Sequence, residues 1–172
     1  MRIGLDMMGG DYAPLEAIKG ISLYLSEQGS AANLVLLGDE EKIRPFLSEH
    51  GLDSHDFSIV HAPQVIDMHE HPTKALKEKK QSSIAVGFHL LASGKIDALI
   101  SAGNTGAMMV GALFSIKALP GIQRPTIGAY MPRENGKLGF MLDAGINSDC
   151  RIHAVGAEEV SDDVHCSMAD EI

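Results

Sequence analysis

Short apolar runs alternate along this chain with longer stretches in which apolar residues recur every three to four positions. Arg2–Leu5 reads as a strand, and Gly9, Gly10 and Asp11 as a turn. Pro14 suits the first turn of a helix, and Ala17, Ile18, Ile21, Tyr24 and Leu25 follow at helical spacing up to a stop at Gly29. Asn33–Leu37 predicts a second strand. Glu40–His50 predicts a helix with Ile43, Phe46 and Leu47 inward, interrupted in character by Pro45. Phe57–Val60 predicts a third strand, and 61–81 reads as a polar connection. Ser82 or Ser83 caps a helix carrying Ile84, Val86, Phe88, Leu90 and Leu91; Gly94 ends it, and Lys95–Ile100 forms the fourth strand. A long helix, Thr105–Ala118, stops at Leu119-Pro120-Gly121. Thr126–Tyr130 and Leu138–Leu142 flank Arg133-Glu-Asn-Gly136, a hairpin-type turn signal.

Strands separated by helices of this length build right-handed βαβ units. The expected class is therefore α/β, a mostly parallel sheet with helices on both faces. After Cys150 the pattern fades, and only Ala154–Val160 suggests a further helix. The expected organisation is an α/β domain over 1–150 and an atypical tail over 151–172.

Charge sharpens that division. The net charge is −9, and residues 151–172 hold one basic residue, Arg151, against six acids, so the tail contributes −5. A negative chain argues against a nucleic-acid partner. The start, Met1-Arg-Ile-Gly-Leu-Asp6, lacks the basic and apolar regions of a secretory leader, and Cys150 and Cys166 form no Cys-x-x-Cys pair. Both observations fit a reducing cytoplasm.

In an open parallel sheet, ligands bind beyond the carboxyl ends of the strands. Three polar clusters fall there. Ser101-Ala-Gly-Asn-Thr-Gly106 joins the fourth strand to a long apolar helix. Its glycines permit close backbone approach, and the first N–H groups of the helix are free to hold an oxyanion. An ordinary βα turn capped by Asn104 or Thr105 explains the same residues. Asp6-Met-Met-Gly-Gly-Asp11 offers tight backbone approach at Gly9 and Gly10, with Asp6 and Asp11 to orient a donor or a lysine; a glycine turn with Asp11 as a helix cap is the alternative. Asp143-Ala-Gly-Ile-Asn-Ser-Asp149 offers Asp143 and Asn147 for substrate orientation, or an Asx-rich turn. Lys74, Lys77, Lys79 and Lys80 precede Ser82 and Ser83. They read as an anion clamp, as a docking point for an acidic partner, or as a solvated helix face, the last supported by Glu78. Asp67, His69, Glu70 and His71 are metal-ligand types without a zinc-enzyme spacing, and Pro72 breaks a helix there; no metal is expected.

No Gly-x-Gly-x-x-Gly follows the first strand, Ser93-Gly94-Lys95 lacks the rest of a P-loop, and no Gly-x-Ser-x-Gly elbow occurs. Dehydrogenase, NTPase and serine-hydrolase readings lose their support, and no cofactor is called for.

Four segments in order, Met1-Arg-Ile-Gly-Leu-Asp-Met-Met-Gly-Gly-Asp-Tyr-Ala-Pro14, Lys79-Lys-Gln-Ser-Ser83, Ser101-Ala-Gly-Asn-Thr-Gly-Ala107 and Leu142-Asp-Ala-Gly-Ile-Asn-Ser-Asp149, resemble the bacterial phosphate acyltransferases that start phospholipid synthesis. The resemblance covers about 1–150, roughly the first half of a usual member. It implies a fold similar to isopropylmalate dehydrogenases and phosphotransacetylases, a homodimer, and a cytoplasmic protein loosely attached to the inner membrane face. The implied reaction joins inorganic phosphate to a long-chain acyl group taken from acyl carrier protein, giving acyl phosphate.

In that chemistry phosphate is itself the nucleophile, so no activated serine or cysteine is needed. Positioning two reactants lowers a barrier by roughly 7–11 kcal/mol in favourable cases. Each oxyanion donor supplies about 3–4 kcal/mol. The leaving thiol, with a pKa near ~8.5, is tolerable near neutral pH. For that chemistry the candidate phosphate and oxyanion donors are backbone N–H groups at Gly103–Gly106 with the Asn104 and Thr105 side chains; Lys80 with Ser82 and Ser83 is a second anion contact, and Asp6, Asp11, Asp143 and Asn147 would orient these groups. No general base stands out.

Tyr12 stands where the family usually has histidine, and a phenol with a pKa near ~10 is a poor base at neutral pH. The segment Arg151–Ile172 has no family counterpart, so the chain reads as truncated, or out of frame, after about Cys150. Two alternatives accompany the acyltransferase expectation: a non-catalytic phosphate-binding fragment, and a phosphotransacetylase-like enzyme acting on coenzyme A esters.

Overall fold

The computed structural model describes residues 1–29, 31–118, 120, 126–134, 136–142 and 164–166. The chain divides into two compact units, Met1–Ile116 and Lys117–Ile172.

The first unit is built on four parallel strands, β1 (Arg2–Asp6), β2 (Asn33–Gly38), β3 (Ser58–His61) and β4 (Ala98–Ile100), in the order β3-β2-β1-β4. Alternate residues face opposite sides, as the pleat requires. Leu5, Leu34, Leu36 and Ile59 pack with Ile18 and Ile21 of α1 (Leu15–Gln28) and with Ile43 and Leu47 of α2 (Glu40–Glu49). On the other face, Leu37 and Leu99 close on Gly87 of α4 (Ser83–Ala92). A Cβ on Gly87 would lie 2.6 Å from Leu99 Cδ1, so the bare backbone sets how closely α4 approaches the sheet. Phe88 of α4, Ala75 of α3 (Pro72–Glu78) and Ala107 of α5 (Thr105–Ser115) form a second cluster with Ile66 and Ile84. Burying a large aliphatic or aromatic side chain stabilises by about 1.5–3 kcal/mol. The expected α/β class, with a parallel sheet and helices on both faces, is thus observed.

The connection 61–81 is not wholly irregular. It contains α3, with Pro72 in its first turn. Proline excludes a helix before it but suits a helix start, where its missing N–H has no partner to lose. Pro45 sits within α2 without ending it, and α2 is capped instead by Asp39, whose carboxylate accepts from Glu41 N. A 3₁₀ turn at Ser54–Asp56 was not legible.

In the second unit, β5 (Gly128–Pro132) and β6 (Leu138–Leu142) form the expected antiparallel hairpin, and β7 (Val164–Cys166) pairs parallel to β6. Gly136 at the turn has φ +76°, a conformation that favours glycine. Tyr130 and Phe140 meet edge to face across the pair, with ring centroids 5.3 Å apart. The expected helix at 154–160 lies outside the described residues.

Candidate functional site

The chain runs from β1 outward to β2 and β3, then crosses back to place β4 on the other side of β1. That reversal leaves a crevice at the carboxyl ends of β1 and β4, the position where open α/β sheets hold their ligands. The two loops that leave these strands touch. A Cβ on Gly9 would lie 2.6 Å from both Gly103 N and Asp6 Oδ2, so only glycine fits there. Gly10 follows with φ +93°.

Asp6 joins the loops chemically. Its side chain is buried, 3% exposed. Oδ1 accepts from Met8 N at 2.9 Å, and Oδ2 accepts from Ser101 Oγ at 2.6 Å. Ser101 Oγ in turn accepts from Gly103 N at 3.0 Å. One carboxylate thereby sets the path of the β1 loop and, through Ser101, the path of the glycine loop. The sequence places Ser101 at the start of the glycine loop, but no local pattern shows its pairing with a residue 95 positions away.

Asn104 has a different task from the one its side chain was assigned. It caps α5, with Oδ1 accepting from Ala107 N at 2.9 Å. Its Nδ2 donates to the carbonyls of Asp67, Met68 and Glu70 at 3.0, 3.3 and 3.1 Å. An amide NH₂ has two hydrogens, so three carbonyls saturate it. The side chain is committed to holding the β3–α3 segment against the loop, and is no free donor to an anion. The Asn104 carbonyl accepts from Met108 N, the usual first helical bond.

What remains open are the backbone N–H groups of Thr105 and Gly106, which have no acceptor among the described residues. Thr105 is exposed and its hydroxyl is free to join them. Pro72 closes on Gly106, where a Cβ would lie 2.4 Å from its Cγ. The first turn of α4 packs beside the same loop, with Ile84 Cδ1 3.2 Å from the place of a Gly103 Cβ. Ser82 caps α4, accepting from Ala85 N at 3.3 Å, and both Ser82 and Ser83 are buried. Two helix N-termini, each carrying partial positive charge, therefore flank the glycine loop.

On the α1 side of the loops lies an open cleft of about 380 Å³, lined by Asp6, Gly9, Gly10, Asp11, Tyr12 and Ser101 among others. Asp11 is exposed at its rim and does not cap α1, whose N-cap is Pro14. Tyr12 is 73% exposed.

Lys79 and Glu70 form an ion pair beneath the connection, and Lys79 also donates to Val65 O at 2.7 Å. Lys79 and a backbone bond from Asp67 N hold the Glu70 carboxyl below the usual carboxylate range. Glu70 is thereby occupied within the segment where metal-ligand types cluster. Lys80 is exposed, two residues before Ser82.

The family model described as "Fatty acid synthesis protein" matches residues 1–155. The chain belongs to the fatty acid synthesis protein family. Relatives named phosphate acyltransferase include those of Chlorobaculum parvum, 43% identical over 151 residues, and Pelotomaculum thermopropionicum, 47% identical over 151 residues. Each alignment takes in 88% of this chain but 44% and 43% of those relatives, so this family member spans somewhat under half their length. Among solved structures, a phosphotransacetylase from Streptococcus pyogenes superposes with a TM-score of 0.64 at 25% identity, over 91% of this chain and 50% of that one. The EutD phosphotransacetylase from Staphylococcus aureus gives 0.56 at 22% identity and supports the fold.

In this family member the structure brings together Asp6, Gly9, Gly10, Gly103, Asn104, Thr105 and Gly106, and sets Ser82 and Ser83 beside them. Asp11 and Lys80 sit further out, exposed. Asp143 and Asn147 lie outside the described residues.

Proposed function

We propose that this chain carries the phosphate-holding part of a phosphate acyltransferase, which forms acyl phosphate from inorganic phosphate and a long-chain acyl group on acyl carrier protein. The observation that carries the reading is the pair of unpartnered N–H groups at Thr105 and Gly106, at the head of α5 and at the sheet's topological switch point. The names of the relatives and the likeness to phosphotransacetylases support the same chemistry.

A phosphate oxygen attacks the thioester carbonyl, a C–O bond forms, the C–S bond breaks, and the carrier thiolate leaves and takes up a proton. The Thr105 and Gly106 N–H groups and the Thr105 hydroxyl hold phosphate oxygens. Partial positive charge at the heads of α4 and α5 favours the anion. Ser83 and Lys80 provide the second anion contact. Asp6, through Ser101, and Asn104, through its clamp, are positioning residues. Pre-set donors of this kind need no rearrangement as charge develops on the carbonyl oxygen. The reading extends to a homodimer and to a cytoplasmic protein attached to the inner membrane face; no helix among the described residues is long and apolar enough to cross a membrane.

Incubating the folded chain with phosphate and long-chain acyl carrier protein, then trapping acyl phosphate with hydroxylamine, tests the reading. Product at a rate above the phosphate-free control is expected. A folded chain that yields none but is stabilised by phosphate is a binding fragment. A second reading, favoured by the superposition on phosphotransacetylases, has coenzyme A esters as donors. Preferential use of short coenzyme A esters over the carrier-bound acyl group would decide for it.

A further inference from the structure

The first unit carries one surface that the anion site does not use. Between α3, α4 and α5 runs an open apolar groove of about 300 Å³, walled by Leu76, Phe88, Val110, Gly111 and Phe114. Phe114 is 73% exposed. A Cβ on Gly111 would lie 2.4 Å from the Phe88 ring, so the glycine lets that ring reach the floor of the groove. The rim on the α3 side is basic. Lys77 lines the groove, and Lys74 lies one turn before it, both exposed and without an ion-pair partner among the described residues. Glu78 is the acid among these lysines. Four of the chain's fourteen lysines and arginines fall between 74 and 80, in a molecule of net charge −9. Only Lys79 of these is neutralised, by Glu70.

We propose that this groove and its lysine rim form the docking surface for the acidic carrier protein that delivers the acyl group. The proposal rests on the acyltransferase reading for the partner's identity. Complementary charge at a rim speeds encounter and fixes orientation. A recessed apolar groove accepts a side chain that protrudes from a partner helix, in the manner of helix-in-groove recognition. A bilayer would call for apolar side chains that protrude from a basic face, and here most of them line a recess. The location also fits delivery. α3 begins at Pro72, which packs on Gly106, and Thr73, the next residue, lines the groove, so the groove begins beside the glycine loop.

The test measures binding of unacylated acyl carrier protein to the full chain by fluorescence anisotropy at low salt. Three proteins are compared: the unaltered chain, Lys74→Glu/Lys77→Glu, and Lys19→Glu/Lys42→Glu. The last makes the same charge change on α1 and α2. The proposal expects saturable binding that weakens with salt, a loss of about tenfold or more in the α3 variant, and a loss of less than about threefold in the control. Equal losses in the two variants, or no loss in either, would overturn it. So would the absence of carrier binding, self-association through this face in light scattering, or tighter binding to phosphatidylglycerol vesicles that the α3 reversal abolishes. Because the probe carries no acyl group, carrier binding without acyl phosphate formation sinks the catalytic reading alone. Acyl phosphate formation by an α3 variant with unaltered carrier affinity sinks the docking surface alone.

Discussion

At the scale of single residues, the proposed site separates groups free to meet a ligand from groups that hold the loop. Thr105 is exposed and heads α5 without other work. Thr105→Ala is expected to leave stability within about 0.5 kcal/mol while lowering phosphate affinity, read as a smaller phosphate-induced rise in melting temperature. Asn104→Ala is a different change. It removes a helix cap worth about 1 kcal/mol and strips three carbonyls of their donor. We expect a loss of about 2–4 kcal/mol in chemical denaturation, together with loss of phosphate binding. Gly9→Ala is expected to cost about 1–3 kcal/mol, since its methyl group would meet backbone at Gly103 that cannot rotate away. An Asn104→Ala chain as stable as the unaltered one would remove the case for a structural role.

At the scale of elements, the strap between β3 and α3 is held by Asn104 on one side and by the Lys79–Glu70 pair on the other. Glu70 is held below its ordinary range chiefly by the Lys79 hydrogen bond, and Asp97 by its hydrogen bond to Arg2. A carboxylate with a depressed folded-state pKa favours folding above its unfolded value, and that contribution disappears as pH falls through the folded value. The urea midpoint of the chain should therefore fall on acidification below the ordinary carboxylate range. Glu70→Gln/Asp97→Asn should fall less steeply there, with the difference narrowing in high salt because the Arg2–Asp97 pair is exposed and the Lys79–Glu70 pair partly so. Equal slopes would remove these pairs as the cause. The helical stripes of α1, α2 and α4 were legible because each presents two or more buried apolar positions at helical spacing. α3 was not, because it is short, buries only Ala75 fully, and follows a proline that marks a helix start as readily as a stop.

At the scale of the whole molecule, the first unit has its own parallel sheet and core, and the glycine loop proposed to hold phosphate lies within it. Phosphate that binds only the folded form should stabilise the chain by about 2.7 kcal/mol at one hundred times its dissociation constant. Sulfate competing for the same groups should act similarly and should not add to saturating phosphate. A melting temperature indifferent to phosphate, in a chain with a cooperative transition, would count against the anion site.

The periodicity of apolar residues by itself determined the order of most strands and helices, and hence a parallel α/β sheet, because a strand or helix must bury one face whatever surrounds it. The sequence likewise marked the glycine loop, since glycine followed by a capping residue at a strand-to-helix junction has local meaning. The tertiary structure alone decided which side chains are free to act. Asp6 reached Ser101 across 95 positions, and Asn104 reached the carbonyls of Asp67, Met68 and Glu70. Hydrogen bonds between distant segments follow from the crossover that sets β4 beside β1, and no local pattern encodes them.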